Sequence, residues 1–301
     1  MRVLIYGVGG VGGFLGSQIQ NANFDISYIA RGKRYEFLKQ NGLKLKSQLG
    51  DKNIKKVEIY NTIPDKTDFD VIISTVKLYD FDDFIKEISA KGLHNAILLP
   101  FQNGIYSEQK ISQKFGEEKT YGAVAQISSY INENQHVIHK GKLASFFVGS
   151  MSEIENKKLL NFCEKCQNSG LDLKYKSNIK EKIWEKFIFL SAYSGITTLT
   201  KKPIGEIFAS TSLKKTFVNA MNETYNLSKV FNVKFKLNPV DYWLEKIKKM
   251  PFDMTSSMYL DYINRKRLEL KWLSGFIVEY SKKFGNKCDT HQSILNGILI
   301  K

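Results

Sequence analysis

The chain opens on a short apolar run, Arg2–Tyr6, that passes at once into Gly7, Gly9 and Gly12. A strand followed directly by glycines in GxGxxG spacing restricts the local fold severely, because each glycine answers a different steric demand. The first permits a tight turn, the second lets a pyrophosphate approach bare backbone, and the third lets the following helix pack closely on the strand. Phosphates would then rest on the helix N-terminus, where free N–H groups and the helix dipole favour negative charge. The backbone of Gly7, Val8, Gly9, Gly10, Val11 and Gly12 is therefore the candidate phosphate cradle. Gly10, Gly13 and Gly16 strengthen the case, since a glycine inside a helix costs up to about 1 kcal/mol relative to alanine unless close packing requires it.

The following segments alternate short β-rich runs with helical patterns, the signature of parallel strands joined by crossover helices. Strands are expected at Arg2–Tyr6, Asp25–Ala30, Lys56–Tyr60, Val71–Val76 and Ala96–Phe101, with helices at Val11–Gln20, Tyr35–Asn41, Phe81–Ala90 and Ser107–Phe115. Residues Tyr121–Val148 alternate and contain turn residues, so they are expected to add strands at the sheet's far edge. After about Ser177 long helical patterns take over, broken near Pro203, Pro239 and Pro251. The expected class is α/β, with an N-terminal Rossmann-type dinucleotide-binding domain over 1–176 followed by an all-α C-terminal domain over 177–301. A chain of 301 residues, 43% of them hydrophobic, is long enough to bury two such cores.

Composition narrows the partners. No stretch approaches the roughly 20 apolar residues of a membrane span, and the first apolar run ends in glycines instead of a leader-peptide cleavage site. A cytoplasmic location is expected, and an odd count of 3 cysteines agrees with a reducing compartment. Cys163 and Cys166 form a CxxC with no second pair to complete a zinc site, in a segment that reads as helix. His136 and His139, three apart in an alternating strand, face opposite sides, so no metal site is expected. The net charge of +15 raises nucleic acid as a partner. Against this, Arg2, Arg31, Arg34, Arg265 and Arg267 are the only arginines among 45 basic residues, and the lysines are dispersed. Such a surface is solvated, with a field favourable to anionic cofactors, and no nucleic-acid partner is expected.

Cofactor choice is read at the end of the second strand. Enzymes that use NAD place an acid there for the ribose hydroxyls, whereas this chain runs into Arg31, with Lys33 and Arg34 close behind. An acid repels a 2′-phosphate and an arginine grips it bidentately, so NADPH is the expected cofactor. Lys77 and Asn103 follow later strands and should reach the same ligand, because open α/β sheets bind beyond the carboxyl ends of their strands.

In order along the chain, the glycine motif, Arg31, Val76-Lys77, Gln102-Asn103-Gly104, Trp184-Glu185-Lys186, and Ser256-Ser257-Met258 followed by Glu269 resemble the ketopantoate reductases (2-dehydropantoate 2-reductases). The resemblance implies reduction of 2-dehydropantoate to pantoate by NADPH, a step toward pantothenate and coenzyme A, and it leans toward a homodimer. It makes Lys186 the general acid, Ser257 a substrate-binding serine, and Glu269 a glutamate near cofactor and substrate. Asn103 matches an asparagine touching both ligands, and Ser128 falls where the family makes a backbone contact to the cofactor.

The residues also carry readings of their own. An ammonium within reach of the ketone oxygen can stabilise the charge that hydride addition leaves there and supply the proton. Lys186 leads into the uncharged segment 187–200, so its head group is expected at the edge of an apolar cleft, with partial burial lowering its pKa. The ordinary alternative is a helix lysine laid along apolar surface. Glu269 is four residues from Arg265, the spacing of an exposed helical ion pair, and Ser257 has the character of an N-cap for a helix opening at Met258. The chain departs from the family one and two turns beyond Lys186, where Leu190 and Ser194 stand in place of substrate-binding asparagines. Ser194 remains a candidate substrate contact, but the departure leaves open a reductase of a different small 2-keto acid substrate. A non-catalytic NADPH-binding sensor is the remaining alternative.

Overall fold

The computed structural model describes residues 1–299. They fall into two compact units, the first made of residues 1–102 and 107–179, the second of residues 103–106 and the chain from Lys180 onward.

The first unit holds ten strands: β1 (Arg2–Tyr6), β2 (Asp25–Ile29), β3 (Leu43–Ser47), β4 (Lys52–Ile54), β5 (Glu58–Tyr60), β6 (Val71–Ser74), β7 (Ile97–Pro100), β8 (Tyr121–Ile131), β9 (Val137–Ser150) and β10 (Asp172–Tyr175). Its helices are α1 (Gly10–Gln18), α2 (Gly32–Asn41), α3 (Phe81–Ala90), α4 (Tyr106–Phe115) and α5 (Lys157–Asn168). One sheet has the order β5-β2-β1-β6-β7, and every pairing in it is parallel. Its central strands are covered on both faces, which is why Val3, Leu4, Ile5, Val71 and Ile72 form uninterrupted apolar runs and are fully buried.

The long hairpin β8–β9 does not extend that sheet, contrary to the sequence expectation. It belongs to a second sheet of order β10-β9-β3-β4, with β8 paired antiparallel to β9. Three of these strands, β3, β4 and β10, have no counterpart among the strands expected from the sequence. β3 alternates buried Leu43 and Leu45 with lysines, a short period-two signal, and its partner β9 lies more than 90 residues along the chain at His139.

Helix α1 is held between the two sheets, so it has no solvated stripe and most of it is buried. A Cβ at Gly16 would meet the Tyr28 ring of the first sheet, and one at Gly13 would meet Val137 of the second. A Cβ at Gly10 would strike the Ser129 backbone. The extra glycines thus serve close packing on both sides. Phe14 completes the wedge, its ring 5.9 Å from Phe146 and 4.9 Å from His139.

The second unit carries α6 (Ile179–Thr200), α7 (Ile204–Ala209), α8 (Thr211–Val230), α9 (Pro239–Ile247), α10 (Ser257–Ile263), α11 (Ser274–Lys283) and α12 (Asp289–Leu299). The prolines act as expected: Pro203 is the N-cap of α7 and Pro239 opens α9 behind Asn238, whose side chain caps Val240 and Asp241 N–H groups. In α6, Phe187, Ile188, Ala192 and Ile196 are buried alongside Ser191, Thr197 and Thr198. Their hydroxyls avoid the cost of unpaired burial by bonding locally or across helices. Thr197 donates to Tyr193 O at 2.6 Å and Thr198 to Ser194 O at 2.7 Å, while Ser191 Oγ lies 2.9 Å from Thr224 Oγ1 on α8. No helix among the described residues is long and apolar enough to cross a membrane.

Candidate active site

In the first unit, a cleft of about 400 Å³ opens at the carboxyl ends of β1, β2 and β6, lined among others by Gly7, Gly9, Arg31, Arg34, Lys77 and Asp80. Gly7 sits at φ +100°, a backbone state that L side chains rarely adopt. Its N–H donates to Ile29 O at 3.0 Å, and its carbonyl accepts from Thr75 Oγ1. A Cβ at Gly12 would fall on that carbonyl and that hydroxyl, whereas a Cβ at Gly9 would meet nothing within 4 Å. The space over Gly9 and the first-turn N–H groups of α1 beneath it fit a pyrophosphate. Val8 is buried, and its carbonyl accepts from Arg34 Nε at 2.8 Å.

Arg31 is exposed at the N-cap of α2, with Nη2 donating to the Tyr6 hydroxyl at 2.8 Å. Arg34 differs. It is half-buried and tied to backbone carbonyls at Val8 and Gln135, and burial pulls its guanidinium down to about 10. It therefore fastens the β8–β9 turn to the glycine turn, whereas Arg31 keeps an exposed face. Lys77 joins the same cleft at the start of a 3-10 turn, Leu78–Asp80. Ser128 is exposed at the bulge in β8, beside the point where Ser129 O passes the start of α1, and does not line the cleft.

In the second unit, Lys186 Nζ donates to Asn103 Oδ1 at 2.9 Å. Asn103 belongs to this unit although it directly follows Gln102 of the first. Gly104, at φ +86°, has the Phe187 ring and Leu273 about 3.5 Å from where a Cβ would stand, so the 103–106 turn packs on α6 and on the segment before α11. Lys186 is half-buried. One residue earlier, the Glu185 carboxylate takes Lys182 at 3.0 Å and its carbonyl takes Trp243 Nε1 at 2.6 Å, fixing this turn of α6.

Two ordinary readings fail. The N-cap of α10 is Ser256, whose Oγ accepts from Tyr259 N and lies 2.7 Å from Thr197 Oγ1. Ser257 therefore has no capping duty, and it is exposed. Glu269 is not half of a helical ion pair: α10 ends at Ile263, Arg265 has φ +53°, and Glu269 is buried in an irregular segment. Ser194 is 1% exposed, so its hydroxyl is turned into packed structure while Leu190 is only half-buried.

The remaining sequence candidates behave as ordinary structure. Cys163 and Cys166 are buried thiols on α5, and burial pushes Cys163 up to about 12. His136 precedes β9, and His139 is buried with its ring nitrogens near Ser47 Oγ and Leu143 O. No cluster suited to a metal occurs among the described residues. Tyr6, Thr75 and Glu87 escaped the sequence reading. The available signal was a phenol ending an otherwise aliphatic strand.

Comparison with known proteins covers the whole chain. The profile described as Ketopantoate reductase PanE/ApbA matches residues 3–153, and that described as Ketopantoate reductase PanE/ApbA C terminal matches residues 178–300. A 2-dehydropantoate 2-reductase of Archaeoglobus fulgidus is 26% identical over 98% of this chain and 96% of its own length. An oxidoreductase of Bacillus subtilis, YkpB, whose activity is uncharacterized, is 26% identical over 94% of this chain and 93% of its own. Among solved structures, the 2-dehydropantoate 2-reductase of Geobacter metallireducens superposes with a TM-score of 0.90 at 22% identity, covering 100% and 99% of the two chains. A D-mandelate dehydrogenase solved with NADH and anilino(oxo)acetate gives 0.87 at 19%, covering 100% and 97%.

Proposed function

The chain belongs to the ketopantoate reductase PanE/ApbA family of oxidoreductases, and from that premise we propose that it reduces 2-dehydropantoate to pantoate with NADPH. The observation that supports the reading is the 2.9 Å bond from Lys186 to Asn103, which joins two residues 83 positions apart to which the family resemblance assigns the chemistry.

The chemistry that bound NADPH supplies is hydride transfer to the ketone carbon. The glycine turn receives the pyrophosphate, and Arg31 grips the 2′-phosphate. Lys186 stabilises the charge developing on the ketone oxygen and gives it a proton. Asn103 Oδ1 accepts from the ammonium and holds it in one place, while the Asn103 amide N–H groups stay available for a second acceptor. Ser257, with no cap to serve, offers its hydroxyl to the keto acid.

The substrate is tested by NADPH oxidation with a panel of 2-keto acids. Ketopantoate is expected to give the highest kcat/KM, and an equal or higher value for another acid would overturn the assignment. A second reading, reduction of a different small 2-keto acid, is favoured by Leu190 at a family asparagine position and by the burial of Ser194. The same panel decides between them.

A further inference from the structure

We infer that Tyr6, held by Glu87, is a positioning residue that sets the preference for a 2′-phosphorylated nucleotide by fixing the guanidinium of Arg31. The inference rests on the proposed NADPH reading and deepens it.

Tyr6 is the last residue of β1, immediately before the glycine turn, and it is 1% exposed. Its hydroxyl donates to Glu87 Oε2 on α3 and accepts from Arg31 Nη2 at 2.8 Å. The other Glu87 oxygen accepts from the Ile63 N–H at 2.6 Å. Both carboxylate oxygens are thus engaged, and the carboxylate has only acceptors to offer.

The direction of each bond follows from these constraints. A phenol has one proton, and a carboxylate can take it whereas a guanidinium cannot. With its proton committed to Glu87, Tyr6 must turn its lone pairs toward Arg31. The guanidinium then has a fixed acceptor on one side, and its ring-side approach is limited by the Tyr6 ring, whose centroid is 6.0 Å from Arg31 Cζ. An exposed arginine normally samples many rotamers, and ordering one on binding costs conformational entropy. Here the ordering is already done before any ligand arrives. The bond consumes one of the five N–H donors, so a fork remains for a phosphate.

Glu87 also bears negative charge, which opposes a phosphate. Its two hydrogen bonds offset this, and Arg31 lines the cleft whereas Glu87 does not. Asp80 lines the cleft too and lies close enough to act on Arg31 electrostatically. The pinned orientation therefore matters, since an arginine free to swing has a carboxylate close by to compete for it.

The test measures NADPH and NADH dissociation constants by fluorescence titration of the full chain for wild type, Tyr6→Phe, Arg31→Ala and the double variant. Tyr6→Phe is expected to weaken NADPH about tenfold, the scale of one charge-assisted hydrogen bond, and to change NADH by less than about twofold. Because Tyr6 acts through Arg31, the double variant should bind NADPH no worse than Arg31→Ala alone. Equal losses for both nucleotides, or additive losses in the double variant, overturn the inference. If Arg31→Ala fails to discriminate, the NADPH reading falls and this inference with it. If Arg31→Ala discriminates and Tyr6→Phe does not, only this inference falls. Should Tyr6→Phe not fold, Glu87→Gln approaches the same relay from its other end, and an unchanged NADPH to NADH ratio there is equally fatal.

Discussion

Two glycines three residues apart, Gly9 and Gly12, separate folding from binding at the scale of single residues. Gly12→Ala places a methyl on the Gly7 carbonyl and the Thr75 hydroxyl, and overpacking of this kind costs about 1–3 kcal/mol. Its urea midpoint should fall accordingly. Gly9→Ala meets no atom within 4 Å and has an ordinary φ of −82°, so its midpoint should hold while dinucleotide affinity drops. The pair is checked by measuring both quantities on both variants. Lys186→Ala is expected to lower turnover at least about a hundredfold with NADPH affinity nearly unchanged, and wild-type turnover in that variant would remove the acid role. The glycines were legible because spacing along the chain encodes a local turn. Tyr6 with Glu87 was not, since the bond spans 81 residues and no local pattern reports it.

Neighbouring serines divide the labour at the start of α10. Ser256→Ala removes the cap and the bond to Thr197, and should destabilise the helical unit by about 1–2 kcal/mol. Ser257→Ala should leave stability within about 0.5 kcal/mol, as for surface positions, and raise the KM for the keto acid. Thermal midpoints and steady-state kinetics on the two variants check this, and matching profiles would refute the division. The sequence reading placed the cap one residue late, within the usual uncertainty of helix ends. It found the central strands β1 and β6 because burial on both faces makes them continuous apolar runs. The second sheet was missed as a separate body because β3 is short and lysine-rich and its pairing with β9 is non-local.

At the scale of the whole molecule, the stability that His291 loses in mild acid should belong to the helical unit. His291 is fully buried, with Nε2 3.0 Å from the Ala220 carbonyl; a carbonyl only accepts, so Nε2 carries the proton. Nδ1 lies 3.3 Å from Ser274 Oγ, and Thr224 Oγ1 is 3.0 Å from Nε2. The Glu223 carboxylate nearby is taken by the N–H groups of Thr290 and His291. Burial holds His291 at about 4 against an ordinary 6.5, so it folds in the neutral form. Between those values the unfolded chain binds the extra proton. Stability from this group is therefore complete above pH 6.5 and lost as pH falls toward 4, by up to about 3 kcal/mol. Trp184, Trp243 and Trp272, the 3 tryptophans of the chain, all lie in the helical unit, so indole fluorescence during urea unfolding reads that unit. Midpoints that do not move between pH 7 and pH 4.5 would contradict the prediction.

The four residues from Asn103 to Tyr106 mean that the polypeptide passes from one body to the other three times, at 102/103, 106/107 and 179/180. A gene cut after codon 179 consequently does not yield two self-sufficient halves. The upstream product would carry a loop whose companions, Phe187 and Leu273, are encoded downstream, and the downstream product would lack the amide that its lysine grips. Anyone wishing to dissect this protein by expression must keep the reading frame whole or supply both pieces together.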